Sequence, residues 1–287
     1  MEKSTILAKI IPDKLYVEMM YYKHFKRFPN LKNPITYSEK LQWLKLYDRK
    51  PIYTIMVDKY RVKEYVANII GEQYIIPTIG IWERPEDIDF DSLPERFVLK
   101  WNHDSGSIII CKNKAELNTI EAIKRLSKRA KYNGFHYGRE WPYKNVKPCI
   151  IAEKYIENEE TGDLRDYKFF AFNGMVRAMF IATDRFEECD TKFDFFDMDY
   201  QHLPFTNGHP NADTIPQKPM HFELMKELSA KLSGGIPQVR VDWYEANGKL
   251  YFGEFTFFHW SGFKPFVPNE WDYTFGSWIE LPQKTKR

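Results

Sequence analysis

Two carboxylates, Asp242 and Glu254, sit within "VRVDWYEANGKLYFGEFTF" (239 to 257), in apolar, aromatic-rich runs that otherwise read as buried strand and are joined by Asn247-Gly248. Successive side chains of a strand point to opposite faces, so parity decides whether the two acids meet. A two-residue Asn247-Gly248 turn would set Asp242 opposite Gly253 and Glu254 opposite Val241, with the acids on opposite faces. A three-residue loop, Ala246-Asn247-Gly248 with Gly248 left-handed in a G1 bulge, reverses that parity and gathers Arg240, Asp242, Glu254 and Thr256 on one face. The three-residue loop is the arrangement expected here. Two carboxylates in apolar surroundings repel unless a proton or a cation lies between them, and a hard divalent ion takes oxygen ligands of this kind. A magnesium site on Asp242 and Glu254 is the preferred expectation. A solvated outer face of an ordinary hairpin is the alternative.

Other residues could serve the same chemistry. Lys100 ends the apolar run "RFVLK" and precedes "WNHDSGS", a small polar loop that feeds another strand. A lysine on a rigid strand can grip phosphate oxygens while backbone N–H groups of a turn around Ser105, Gly106 and Ser107 close over them. A strand-end lysine snorkelling beside a plain hairpin fits the same residues. "CIIAEKYIENEE" runs from a buried strand into an acidic linker, whose backbone could face a planar heterocycle while Glu153 or Glu160 takes ribose hydroxyls. "RDYKFFAFNG" puts Arg165, Asp166 and Lys168 at a strand start, with Asp166 and Lys168 on one face; a surface ion pair is the plainer account.

Composition limits the field. At 287 residues the chain is long enough for one large or two modest domains with a substantial core. Lys plus Arg number 42 against 40 for Asp plus Glu, a formal charge of +2, so electrostatics make no case for nucleic acid as a partner. Cys111, Cys149 and Cys189 lack the spacing of a zinc site or a disulfide framework. The apolar run near the N-terminus is short and broken by Lys9, and nowhere do about 18 apolar residues run together. A soluble, cytoplasmic protein without a transmembrane segment is the expectation.

The elements that must position these residues fall into three stretches. Residues 1 to 75 are helical in pattern: "DKLYVEMMYYKHFKRF" has helical spacing, "TYSEKLQWLKLY" opens on a Thr36/Glu39 capping box, and "DKYRVKEYVANIIG" runs from an Asp58 cap to Gly71. Residues 76 to 150 alternate short β-rich runs with a polar helix over about 114 to 132 and a Gly/Pro/aromatic loop over 134 to 148. Residues 151 to 287 hold further strands, a helix "MHFELMKELSAKL" and the opening hairpin. The pattern is α+β, with mostly antiparallel sheets in two lobes behind a helical N-terminal region.

In this order, "DKYRVKEYV" (58 to 66), "RFVLKWNHDSGS" (96 to 107), "IIAEKYI" (150 to 156), "DYKFFAFNG" (166 to 174), "VRVDWY" (239 to 244), "YFGEFTF" (251 to 257) and "SGFKPFVP" (261 to 268) resemble the ATP-grasp ligases, and most closely the TupA-like subgroup named for teichuronopeptide biosynthesis. The resemblance spans about residues 15 to 282. It implies an ATP-grasp fold whose two α+β lobes grip ATP, with Lys59 and Lys100 on phosphates, Glu153, Lys154, Tyr155 and Ile156 as the adenine-side hinge, Glu160 near the ribose, and Lys168 reaching the nucleotide from the sheet floor. Asp242 and Glu254 would hold Mg2+. Thr256 stands where many relatives have Asn, a better ligand, which leaves the count at one or two ions. Lys100 and Lys168 would also assist catalysis.

The implied chemistry is amide formation through an acylphosphate, with charge neutralisation as the physical need. Arg240, on the face of Asp242, would stabilise the transferring phosphoryl group, or else pair internally with Asp242 or Glu254. Arg165, Ser261, Gly262 and Lys264 are candidates for the substrate. The implied acid is a uronic acid or similar sugar carboxylate of a bacterial surface polysaccharide, free or nucleotide- or lipid-linked, and the amine is an amino acid or amino alcohol. Residues 1 to 50 would contact the acceptor, a membrane surface or a second subunit. Two rival functions carry their own features: Asp197-Met198-Asp199 as the metal-binding D-x-D of a glycosyltransferase, against an Asx-type turn, and a non-catalytic aromatic surface for carbohydrate.

Overall fold

The computed structural model describes residues 11–159, 164–183 and 191–284. Four helices come first: α1 (Asp13–Phe25), α2 (Tyr37–Tyr47), α3 (Ile52–Val57) and α4 (Arg61–Ile70). The expected capping box forms at the start of α2, where the Thr36 hydroxyl accepts from the Glu39 N–H and the Glu39 side chain from the Thr36 N–H. Asp58 accepts from the N–H groups of Tyr60 and Arg61 ahead of α4, and Gly71 ends that helix at a φ of 108° that favours glycine. α3 was not anticipated from the sequence.

A four-stranded antiparallel sheet follows, made of β1 (Thr78–Trp82), β2 (Phe97–Trp101), β3 (Ile109–Cys111) and β4 (Ile150–Lys154) in the order β1-β4-β2-β3. One face packs Phe97, Leu99, Trp101, Ile150 and Ala152 against Ala122 and Leu126 of α5 (Thr119–Ser127) as a separate small core. The polar helix expected over 114 to 132 is shortened to α5 because the Asn118 side chain caps it by accepting from the Glu121 N–H. The stretch 134 to 148, expected as loop, contains α6 (Phe135–Gly138) and a 3-10 turn at Trp141–Asn145.

A five-stranded antiparallel sheet holds the larger core. Its strands are β5 (Asp166–Phe172), β6 (Met175–Thr183), β7 (Lys192–Phe196), β9 (Val239–Ala246) and β10 (Lys249–Thr256), ordered β10-β9-β5-β6-β7. Two short strands, β8 (Thr206–Asn207) and β11 (Phe266–Val267), pair separately. β5 is central, and all seven of its residues are buried. Its odd-numbered face carries Phe169, which meets Phe222 of α7 (Phe222–Leu232) at a ring distance of 5.7 Å. Its even-numbered face carries Phe170 and Phe172, which pack on Tyr37 of α2 and on Phe275 of α8 (Glu270–Ser277). The N-terminal helices therefore belong to the core of the five-stranded sheet.

The β9–β10 hairpin reaches the expected alignment of its acids by another route. Lys249 pairs with Ala246, so the turn has two residues, with Asn247 (φ 51°) and Gly248 (φ 70°) both left-handed. The three-residue loop is therefore corrected. Parity changes further along, at a bulge where Gly253 is unpaired between Phe252, opposite Trp243, and Glu254, opposite Asp242. A Cβ on Gly253 would lie 3.0 Å from the Tyr244 ring and 3.1 Å from the Asp242 carbonyl oxygen. Gly253→Val should accordingly force the bulge open and lower stability by about 1–3 kcal/mol, read as a lower urea midpoint at unchanged slope.

Candidate active site

The register of the large sheet sets one face apart. Lys168 pairs with Asp242, Phe170 with Arg240, Asp242 with Glu254 and Arg240 with Thr256. Directly opposed residues share a face, so Asp166, Lys168, Arg240, Asp242, Glu254 and Thr256 all point the same way. Val239, Val241 and Trp243 take the other face, where the Trp243 indole N–H donates to Ser229 of α7 at 2.8 Å.

Asp242 is fully buried, and both its oxygens are engaged by cations. Arg240 donates from Nε to Oδ1 and from Nη2 to Oδ2, each at 2.7 Å, and Lys168 Nζ donates to Oδ2 at 2.6 Å. Lys168 also pairs with Asp166 at 2.7 Å. The internal pairing foreseen as one alternative for Arg240 is thus present. Its other groups reach Thr256 Oγ1 at 2.9 Å and His259 Nδ1 at 2.7 Å. Because the guanidinium can only donate, His259 accepts at Nδ1. Burial, with Arg240 and Lys168 nearby, lowers the His259 pKa well below the usual range and keeps the ring neutral.

A cavity of about 590 Å3 opens over this face, with Lys59, Ser105, Lys168, Arg240, Glu254, Thr256 and Ser261 among its lining residues. Lys59, just ahead of α4, lies 3.1 Å from Glu254 Oε2 and donates to the Asp104 carbonyl at 3.0 Å. Burial would raise the Glu254 pKa, but Lys59, Lys168 and Arg240 outweigh it and bring the carboxyl down to about 2. In the 102 to 107 turn Gly106 is left-handed at φ 97°; Ser107 donates to Asp104 at 2.6 Å, and Arg129 holds the other Asp104 oxygen at 2.9 Å.

A second group of charges lies on the small sheet. Lys100 and Lys63 grip the two oxygens of Glu153 at 2.6 and 2.7 Å. Burial by itself would raise the Glu153 pKa, yet these two ammonium groups hold it below its ordinary value. Lys100 shares its sheet face with Ile81 and Ile110, which are 43% and 41% exposed, so charge and uncovered aliphatic surface occur together there.

Other expected residues are dispersed. Lys154 and Ile156 line a separate cavity of about 530 Å3, while Tyr155 stacks under Arg96 at 4.4 Å and donates to Glu157. Glu160 lies outside the described residues. Arg165 is exposed ahead of β5, and Lys264 is exposed with its ammonium 5.6 Å from the Trp260 ring centroid. Gly262 is buried, its carbonyl accepting from Gln42 at 3.0 Å. Asp197 caps its own turn by accepting from the Asp199 and Gln201 N–H groups, which is the Asx-type turn. Sequence reasoning missed Lys63, Asp104, Glu140, Tyr143 and His259. Lys63 had a signal, four residues after Lys59 and within the first turn of α4; Glu140 and Tyr143 sit in a stretch without periodicity.

The family described as TupA-like ATPgrasp matches residues 39–280 of the chain. The chain belongs to the TupA-like ATP-grasp family. The motif resemblance and the α+β ATP-grasp fold expected from it are borne out. Solved structures that this family member is similar to include the D-alanine–D-alanine ligase of Bacillus anthracis complexed with ATP, at 18% identity and TM-score 0.41 over 70% of this chain and 55% of that one. The corresponding Helicobacter pylori ligase matches at 13% and 0.42, over 79% and 62%. The biotin carboxylase domain of the Hydrogenobacter thermophilus 2-oxoglutarate carboxylase, complexed with MgADP, matches at 19% and 0.39, over 70% and 40%. The chain thus spans about half the length of the Bacillus anthracis ligase. No curated protein matches the chain. Among the described residues no helix is long and apolar enough to cross a membrane.

Two outcomes test the charge groups. Asp242→Asn removes the buried carboxylate that Arg240 pairs with and leaves Lys168 with Asp166 alone, and should cost about 3–5 kcal/mol in chemical denaturation. Glu153 has a depressed pKa when folded, so its contribution is full above the ordinary glutamate value of 4.5 and is lost as pH falls below it. The melting-temperature advantage of wild type over Glu153→Gln should shrink in that direction; an advantage that stays constant down to pH 3 contradicts the assignment.

Proposed function

We propose that this chain is an ATP-dependent carboxylate-amine ligase that forms an amide through an acylphosphate. The observation that carries the reading is the shared sheet face: Lys168, Arg240 and Glu254 converge with Lys59 on one cavity, where cations and a carboxylate can meet a triphosphate. A substrate carboxylate must approach the γ-phosphorus of ATP, so two anions are forced together and positive groups held in place beforehand lower the barrier. Arg240 is preorganised for this, because Asp242, Thr256 and His259 fix its guanidinium before any substrate arrives. Lys59 and Lys168 bind phosphate oxygens. Lys100 of the small sheet and Lys63 of α4 bind them as well, with Ser105 to Ser107 as the covering turn. The adenine lies by the hinge Glu153 to Ile156, against the aliphatic surface beside Lys100.

The donor set suits magnesium in one form. Among the described residues no group of three or more His, Cys, Asp or Glu side chains gathers as a cage. Magnesium is commonly held by one or two carboxylates together with substrate phosphates, and Glu254 offers such a carboxylate to the cavity. Glu254 would hold it, supported by Asp242 directly opposite, and bound magnesium would neutralise phosphate charge. Thr256 is already an acceptor for Arg240, which favours a single ion.

The acid is a uronic acid or similar sugar carboxylate of a surface polysaccharide, and the amine an amino acid or amino alcohol. The teichuronopeptide connection in the family's name supports this substrate class. A phosphate-release screen in magnesium buffer, pairing ATP and glucuronate or galacturonate with L-alanine, L-glutamate or ethanolamine, tests it. One pair should give release that requires both partners, and Glu254→Gln should abolish it at unchanged fold; release without either partner, or normal turnover by the variant, refutes the reading.

A further inference from the structure

The cavity lining is chemically mixed: Lys59, Lys168 and Arg240 carry positive charge, while Tyr132, Tyr137, Tyr143 and Trp260 are aromatic and Glu140 adds a carboxylate. Tyr132 and Tyr143 lie beside Glu140, and Tyr137 stacks on Tyr132 with ring centroids 5.0 Å apart. Three acids line the cavity, and two are neutralised: Lys59 pairs with Glu254, and Arg129 with Asp104. Among the described residues no Lys or Arg comes within salt-bridge distance of Glu140; its Oε1 accepts from the Ser261 hydroxyl. A carboxylate among aromatic faces suits an ammonium ion, which gains both an ion pair and cation–π attraction.

The protein holds the turn beside Glu140 in place with unusual local structure. Trp260 and Ser261 are both left-handed without being glycine, at φ 51° and 53°. Such backbone costs about 1–3 kcal/mol for each residue and persists only where its surroundings impose it. Here α2 imposes it. Gln42 Nε2 donates to the carbonyls of Ser261 and Gly262 at 3.1 and 3.0 Å, and Lys45 Nζ donates to the Ser261 carbonyl at 2.6 Å. Gln42 and Lys45 are both fully buried.

We propose that Glu140 is a catalytic residue, binding the amine substrate as its ammonium and removing the proton that must leave before the nitrogen can attack. This rests on the ligase reading above and names a residue for its second half-reaction. The ammonium R′NH3+ gives one proton to Glu140. The freed lone pair of R′NH2 forms the C–N bond to the acyl carbon, the bond from that carbon to the phosphate oxygen breaks, and the departing phosphate takes the second nitrogen proton. Glu140 then releases its proton to solvent.

The groups facing Glu140 suit a base. Ser261 donates to it, Tyr132 and Tyr143 lie beside it, and Lys45 sits behind the Ser261 turn. Burial raises the Glu140 pKa above the ordinary carboxylate value, against the opposing pull of Lys45 and Ser261. Burial likewise lowers the Lys45 pKa, against the opposing pull of Glu140, and its ammonium also rests 4.2 Å from the Phe263 ring centroid.

Thermal shift with ethanolamine, L-alanine and L-glutamate, in the presence of magnesium and ADP, gives the first test. At least one amine should stabilise the wild type and none should stabilise Glu140→Gln; no effect on the wild type, or equal stabilisation of the variant, overturns the proposal. The second test replaces the amine by hydroxylamine, which is already neutral at neutral pH and needs no base. With the acid found in the screen, Glu140→Gln should lose about 100-fold in kcat for amide formation and retain hydroxamate formation within about twofold. Glu140→Asp, which keeps the carboxylate, should recover part of the amide rate. Loss of both products in Glu140→Gln, or of neither, overturns the role of Glu140. Absence of both products in the wild type instead counts against the ligase reading itself.

Discussion

A buried carboxylate set between two buried cations organises this molecule. Asp242 has no exposure, and three charge-assisted hydrogen bonds from Arg240 and Lys168 end on it. Burying any of these charges alone would be severely unfavourable, so the three are interdependent, with Asp166 also holding Lys168 and with Thr256 and His259 also holding Arg240. The consequence for function is that Arg240 and Lys168 reach the cavity as fixed charges rather than as flexible side chains. Glu254, across the strand pair, completes the balance toward Lys59 and keeps a strongly acidic carboxyl where a cation can be used.

The helices ahead of the sheets contribute more than cover. Lys59 and Lys63 come from the approach to α4 and from α4 itself and reach the two sheets separately, Lys59 to Glu254 on the larger and Lys63 to Glu153 on the smaller. α2 buries Gln42 and Lys45 against the strained Trp260-Ser261-Gly262 turn. Aromatic contacts from Tyr37 to Phe170, Phe266 and Phe275 lock the same helix onto the site face of the large sheet. The described part of residues 1 to 50 packs into the core and holds the turn that brings Ser261 to the cavity.

The hairpin shows how a correct alignment can be reached from an incorrect local premise. Asn247-Gly248 is among the strongest signals for a two-residue turn, and it forms one. A three-residue loop would bring Asp242 and Glu254 together equally well but would place the irregularity at the turn, whereas it lies at Gly253. Gly253, read simply as a strand residue, is where the extra residue enters, and the close approach of the Tyr244 ring and Asp242 carbonyl explains why glycine stands there.

Local patterns by themselves determined the capping box of α2, the identity and order of most strands, the family motifs, and which carboxylates and lysines are candidates for the site. These are legible because hydrophobic period and short-range hydrogen bonds are written within a few residues of each other. Tertiary structure alone decided the pairings that give those charges a role: Lys100 and Lys63 on Glu153, Lys59 on Glu254, Arg240 on His259, and Glu140 against Ser261 across 121 residues of chain. A single sequence does not display them, because an ion pair between distant segments leaves no periodic trace in either. It exists only once burial removes water and forces each charge to find its partner.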